Sequence, residues 1–338
     1  MSALHVYPDI SESVQAVEIH SPTRFALHGE VRDLDRMKLA APAGEGREPP
    51  AEPLVQALEA ELYRDFYCRP QPGGSPAGGD PAEASGFVAA LSRANRGQGT
   101  WEGGWVVAGV EPDGRIAVTK DRVTYWARPE QVRSRSGGPV VPSSGEACVV
   151  RLAKEHRHLF PAYYMALGNR LPEGGSLLRL YWNLTPAAAI TYVRLVTDRL
   201  NREAIPFKTK VLSHPRSYRR ADAGVLYLNR GDFGRLRPVL VQLHRDLSPK
   251  LNREVPMFVK PLAPGLGLAE DPGGGQSFGQ SRCRIMAEAL HRCHCRGASD
   301  LAERLRLVAV VWRERGLDPL RPWLEPGSED AYSFEAAR

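Results

Sequence analysis

The chain has 338 residues, 42% hydrophobic and 25% charged, enough for one large domain or two small ones with ample core. Its net charge of +6 and pI near 9.1 suit nucleic acid, an acidic membrane surface or a phosphorylated substrate, but no Lys/Arg-rich run with interleaved aromatics marks a nucleic-acid binder. No apolar run reaches the roughly 18 residues of a membrane span, no signal-peptide core is present, and the irregularly placed cysteines suit a reducing compartment. A cytoplasmic protein with no membrane partner and no nucleic-acid partner is therefore expected.

Residues 1–53 read as an N-terminal arm ending in a linker, Ala41 to Pro53, by its Pro and Gly content. Leu54, Leu58, Leu62 and Phe66 recur every four residues and predict a helix from Leu54 to Tyr67. Arg69 to Ser85 reads as a flexible loop and Phe87 to Asn95 as a short helix. Strands over Trp105–Val110 and Arg115–Lys120 flank the hairpin signal Pro112-Asp113-Gly114. A strand over Ala147–Ala153 ends in the run Lys154-Glu155-His156-Arg157-His158, which in isolation a solvated charged loop explains as well as a functional site does.

Alternation over Leu177–Trp182 puts Arg179, Tyr181 and Asn183 on one face and Leu178, Leu180 and Trp182 on the other. Thr185 and Pro186 open a helix as N-cap and first position. The strand Pro206–Leu212 sets Lys208 and Lys210 against Phe207, Thr209 and Val211, and a third strand covers Gly224–Asn229. Leu236, Leu240, Leu243 and Leu247 mark a further helix. Leu262–Gly279 reads as a Gly/Pro-rich loop before a helix over about Gln280–Arg292. The last helix opens with Asp300 and Glu303, buries Leu301, Leu305, Val308 and Trp312, and stops at Gly316. The expected class is α+β, a central mixed sheet with helices at both ends. The expected divisions are an arm and linker (1–53), a helical and hairpin region (54–140), a main core (141–325, with 54–140 as one large domain) and a tail (326–338).

A sheet face carrying Arg, Lys, Lys and Arg is costly unless an anion sits on it. Lys208 and Lys210 lie about 7 Å apart on one strand face, and a lysine that has shed its proton is a competent general base. Arg179, Arg219, Arg220 and Arg282 are candidates for an anion clamp, because guanidinium meets phosphate bidentately, and Asp222 stands ready to hold Arg220 in place. His156 and His158 are possible donors to a leaving group, and a phenol such as Tyr163 or Tyr164 orients a phosphate or donates a proton. Ser277 precedes a helix whose free N–H groups bind anions. The run His291-Arg292-Cys293-His294-Cys295 looks metal-like but lacks the C-x-x-C spacing and a second pair.

With these residues in view, the chain resembles the HopA-like type III effector family and its relatives in ribosomal-peptide biosynthetic clusters. The resemblance rests on LYRDFYCRP (62–70), LSRANRG (91–97), RLYWNL (179–184), PFKTKVL (206–212), YRRADAGVLYL (218–228) and LAPGLGLAEDPGGGQSFGQSR (262–282). It implies a phosphothreonine-lyase-like fold. It also implies a lyase that works beside an aminoglycoside-phosphotransferase-like kinase, in a complex with it, on the phosphorylated precursor peptide of a lanthipeptide or thioamitide. The lyase eliminates phosphate from Ser or Thr to leave dehydroalanine or dehydrobutyrine. Such chemistry needs a base, an acid and cations, but no metal or organic cofactor. Lys210 is the expected base, with Lys208 beside it and Lys154 as runner-up. His156 is the expected acid, ahead of His158 and Tyr164. Arg179, Arg220 and Arg282 are the expected clamp, and Tyr181, Asp222, Ser277 and Lys120 complete the binding set. A non-catalytic partner of the leader peptide or kinase, and a host-delivered effector, are the rival readings.

Overall fold

The computed structural model describes residues 6–36, 53–70, 80–120, 123–138, 143–160, 162–172 and 175–334. Most of the linker expected at Ala41–Pro53 and the centre of the loop expected at Arg69–Ser85 lie outside them. Helix α1 (Pro8–Ala16) leads into a three-stranded antiparallel sheet, β1 (Val17–Ser21), β2 (Arg24–Leu27) and β3 (Glu30–Asp33). Helix α2 (Pro53–Glu61) runs into a π-type helical turn over Leu62–Tyr67. Helix α3 (Pro81–Ala94) starts earlier than its apolar spacing announces, because Asp80 caps it, accepting from the Ala82 N–H at 2.9 Å, and Pro81 fixes the first turn.

A five-stranded antiparallel sheet follows: β4 (Trp101–Val110), β5 (Ile116–Lys120), β6 (Val123–Ala127), β7 (Val132–Ser134) and β8 (Ala147–Arg151). It buries its own small core around Trp105, Val107, Val118 and Val150.

The remaining strands are β9 (Glu155–Phe160), β10 (Tyr163–Leu167), β11 (Leu177–Trp182), β12 (Phe207–Leu212), β13 (Gly224–Asn229), β14 (Lys260–Ala263) and β15 (Leu266–Glu270). They form one seven-stranded sheet in the order β14-β15-β11-β13-β12-β10-β9. The class is α+β, and every pairing in this sheet is antiparallel rather than mixed. The charged run after β8 is the edge strand β9, not a loop. The stretch expected as a loop before Gly279 holds the β14–β15 hairpin, whose turn is set by Gly265 at φ 73°, where a Cβ would lie 2.2 Å from the Asn252 carbonyl oxygen.

Helices α4 (Pro186–Arg202) and α5 (Phe233–Leu247) cover one sheet face. Tyr192 of α4 hydrogen-bonds Thr209 at 2.8 Å, and Trp182 packs against Tyr192 and His244. Thr185 caps α4 through the Ala188 N–H. Helix α2, the π-type turn and α6 (Phe278–Cys295) lie over the other face, where Tyr67 and Phe278 meet Tyr181. Helix α7 (Leu301–Glu314), capped by Asp300, packs on α6 through Val308 and Trp312, while Leu301 stays exposed on the outer side of its first turn.

A final segment without helix or strand straps the fold together. Arg282 Nε donates to the Pro322 carbonyl at 2.8 Å and its Nη2 to that of Leu324 at 3.0 Å. Buried Glu270 accepts from the Glu325 N–H at 2.7 Å and from the Tyr332 hydroxyl at 2.5 Å. The Tyr7 N–H donates to the Pro319 carbonyl at 2.8 Å, which ties the beginning of α1 to this strap.

Candidate functional site

Pairing across the seven-stranded sheet fixes which side chains share a face. One row runs His156, Met165, Lys210, Val225, Tyr181 and Gly267 through β9, β10, β12, β13, β11 and β15. The next runs Leu167, Lys208, Tyr227, Arg179 and Ala269. Directly paired residues in antiparallel strands stand about 4.5–5.5 Å apart. The period of two therefore gathers Arg179, Tyr181, Lys208, Lys210, Tyr227 and His156 on the face opposite α4 and α5.

The cations on this face form two units of the same make-up. In the first, Lys210 Nζ lies 4.3 Å from the centre of the Tyr163 ring. Arg220 stands nearby, its Nε and Nη2 both on the Asp222 carboxylate and its Nη2 on the Tyr63 hydroxyl at 3.2 Å. Burial works against the Arg220 charge, but the Asp222 carboxylate outweighs it and holds the guanidinium firmly protonated. Tyr163 feels both members of that pair, and burial, reinforced by Asp222 and opposed by Arg220, pushes its phenol well above the ordinary range.

In the second unit, Lys208 Nζ lies 5.2 Å from the Tyr227 ring centre and the Arg179 guanidinium 5.4 Å from it. Arg179 Nε donates to Asp271 at 2.6 Å and its Nη2 to the Gln276 carbonyl at 2.8 Å. This unit is the more closed: the Arg179 side chain is 9% exposed, against 27% for Arg220. Neither Lys208 nor Lys210 has an ion-pair or hydrogen-bond partner among the described residues, although both are half-buried. The charged end of each lies against an aromatic ring.

The π-type turn roofs the face. It stacks Tyr63 on Tyr67 with ring centres 5.1 Å apart and points Tyr67 at Tyr181. Gly279 at the start of α6 makes this possible, since a Cβ there would lie 2.4 Å from the Tyr67 ring. Cys68 follows, with its thiol pushed up by burial and by Asp222. A π-type turn is rare and is often found at functional sites.

Several residues expected in the site stand elsewhere. Tyr164 points to the opposite face, where its hydroxyl donates to Glu155 at 2.6 Å and accepts from Asn95 at 3.0 Å. Lys154 spends its ammonium on the carbonyls of Asn95 at 2.8 Å and Ser92 at 3.3 Å, which closes the C-terminus of α3. Arg282 is 1% exposed and committed to the strap, with Glu325 at 2.7 Å as its counter-ion, so it does not join Arg179 and Arg220 around one anion. Lys120 belongs to the five-stranded sheet, where it meets Glu102 at 3.1 Å and the Gly103 carbonyl. Ser277 is the N-cap of α6, accepting from the Gln280 N–H at 3.1 Å. His156 shares the face of Lys210, but β10 separates their strands, about 10 Å by strand spacing. The side chain of His158 lies outside the described residues. His291 Nε2 and Cys295 Sγ approach to 3.4 Å within α6, and no group of three potential metal ligands occurs among the described residues.

The residues that the sequence undervalued are Tyr63, Tyr67, Tyr163 and Tyr227. The signal for Tyr163 was present, because the alternation of Tyr163, Met165 and Leu167 against Tyr164 and Ala166 separates the two phenols once β10 is recognised.

The sequence model of the HopA1 effector protein family matches residues 155–324, half of the chain and all of the seven-stranded sheet. Two solved structures are similar. The effector protein from Pseudomonas syringae pv. tomato strain DC3000 is 19% identical, with 79% of this chain and 90% of that one covered at a TM-score of 0.46. The effector protein from Pseudomonas syringae pv. syringae strain 61 is 18% identical, with 81% and 94% covered at a TM-score of 0.44. No curated protein matches. The chain belongs to the HopA1 effector protein family.

Proposed function

We propose that this chain is a phosphoserine/phosphothreonine lyase acting on a phosphorylated peptide, with Lys210 as the base that removes the Cα proton. The observation that carries the reading is the pair of half-buried lysines without a carboxylate or carbonyl partner among the described residues, on a face that also presents Arg220 and Arg179. Arginines already held by Asp222 and Asp271 are pre-organised, so an arriving phosphate does not have to order them. Lys208 and Arg220 hold the phosphate, and Lys210 takes the proton from Cα. The C–H electrons become the Cα=Cβ bond, the Cβ–O bond breaks, and phosphate departs with its electron pair. The family resemblance extends the reading to a ribosomally made precursor peptide, phosphorylated by an aminoglycoside-phosphotransferase-like kinase.

The test is incubation of synthetic phosphoserine and phosphothreonine peptides with the protein, followed by mass spectrometry and thiol trapping of the dehydro residue. Stoichiometric loss of phosphoric acid is expected. Lys210→Ala should lower the rate by about 10²–10⁴-fold, the usual worth of a general base. Lys210→Arg should be nearly as slow, because guanidinium keeps its proton. A phosphopeptide that binds but stays intact with the wild-type protein rejects the lyase and leaves a binding module. Full activity in Lys210→Arg rejects Lys210 as the base.

A further inference from the structure

We infer, resting on the lyase reading above, that the Tyr163 hydroxyl gives its proton to the phosphate oxygen as the Cβ–O bond breaks. Three neighbouring tyrosine hydroxyls are occupied: that of Tyr63 by Arg220 and Asp222, that of Tyr164 by Glu155 and Asn95, and that of Tyr218 by the Leu212 carbonyl at 2.7 Å. Tyr163 has no hydrogen-bond partner among the described residues, and its ring lies 4.3 Å from Lys210 Nζ.

Its position supplies the rest of the argument. The Tyr163 ring lies against the base, and its phenol feels the charges of both Arg220 and Asp222. A phosphate on Arg220 with its Cα proton at Lys210 therefore has its bridging oxygen on the Tyr163 side. Tyr227, the corresponding phenol of the second unit, is buried at 7% exposure, with Lys208 and the closed-off Arg179 against its ring. Burial keeps the Tyr163 phenol protonated through the neutral range, so it is a donor whenever substrate arrives. The step balances. Lys210 gains the Cα proton, Tyr163 loses its own to the departing phosphate, and proton return from the Lys210 ammonium to the Tyr163 oxygen, directly or through water, restores both groups.

Tyr163→Phe keeps the ring against Lys210 and removes only the hydroxyl, so it separates the proton from the packing. With a phosphoserine peptide, kcat should fall by about 10²–10⁴-fold, while the peptide affinity measured by titration stays within about twofold, below 0.5 kcal/mol. With the same peptide carrying O-sulfoserine, whose weakly basic sulfate leaves without a proton, the variant should keep pace with wild type. Equal losses on both peptides, or a phosphopeptide kcat within a few-fold of wild type, overturn the inference. If wild type leaves the sulfopeptide intact, the phosphopeptide kcat and affinity decide alone. A wild-type protein inert toward the phosphopeptide sinks the lyase reading itself, an outcome distinct from either variant result.

Discussion

On the face of the seven-stranded sheet that α4 and α5 cover, Leu178, Leu180, Trp182, Phe207, Val211 and Leu226 are fully buried, and the polar Thr209 is satisfied by Tyr192 and the Val225 carbonyl. On the other face the same strands present Arg179, Lys208, Lys210, Tyr181 and Tyr227. One backbone serves both, and only the parity of the residue number decides the face. The first face gains stability by removing apolar surface from water. The second holds charges whose desolvation is offset only partly by ring faces and by Asp222 and Asp271. Stability is concentrated on one side of the sheet and unneutralised charge on the other.

Substitutions on the two faces should therefore differ in sign as well as size. Leu226→Ala, at a fully buried position, should cost about 2–5 kcal/mol in urea unfolding. Lys210→Met, one strand away on the opposite face, should leave stability within about 1 kcal/mol and on the stabilising side, since it removes a half-buried charge without an ionic partner. A Lys210→Met variant that unfolds as readily as Leu226→Ala would break the contrast. A middle-sized effect is expected for Asp222→Asn, which strands the Arg220 guanidinium in a partly buried site. About 1–3 kcal/mol should be lost, less than for a fully buried pair because Arg220 retains some contact with water.

Two smaller effects sharpen the picture. Thr185→Ala removes the cap of α4, the helix that covers the apolar face, and should cost about 1 kcal/mol without changing phosphopeptide affinity. The last concerns Glu155, which anchors the edge strand β9. Burial alone would raise its carboxyl, but hydrogen bonds from Tyr164, Ser92 and Arg157 outweigh that and lower it. Its contribution is thus complete above the ordinary carboxylate range and is lost as pH falls through the lowered folded value. Glu155→Gln should flatten the acid limb of a stability-against-pH curve, and an unchanged limb would assign the acid sensitivity to other carboxylates.

What the sequence disclosed and what it hid follow from the range of the forces involved. The Thr185 and Asp300 caps are visible because a cap is satisfied within three residues. The two faces of β11 and β12 are visible because alternation needs no partner. The fate of a cation is not visible in this way. Lys154 is consumed by the carbonyls of Ser92 and Asn95, and Arg282 by those of Pro322 and Leu324, and a main-chain carbonyl leaves no mark in the residue type. From the sequence, Arg282 and Arg220 are equal candidates for an anion, and only the fold reveals that one is spent. The roof was hidden for another reason. Tyr63 and Tyr67 sit in a segment of helical spacing, and nothing in that spacing distinguishes a π-type turn from a continued α-helix.

The strap at the end of the chain carries a consequence for biosynthesis. Arg282, Glu270 and the Tyr7 backbone each find partners between Pro319 and Tyr332, so groups made earlier must wait for that segment to emerge. Until then Glu270 and Arg282 are without these partners, although α1 already holds the Phe258 N–H and Arg69 through Asp9. Contacts of such sequence separation slow folding, because loop closure must precede any reward. Docking of residues 319–332, rather than synthesis of the sheet strands, completes this part of the fold.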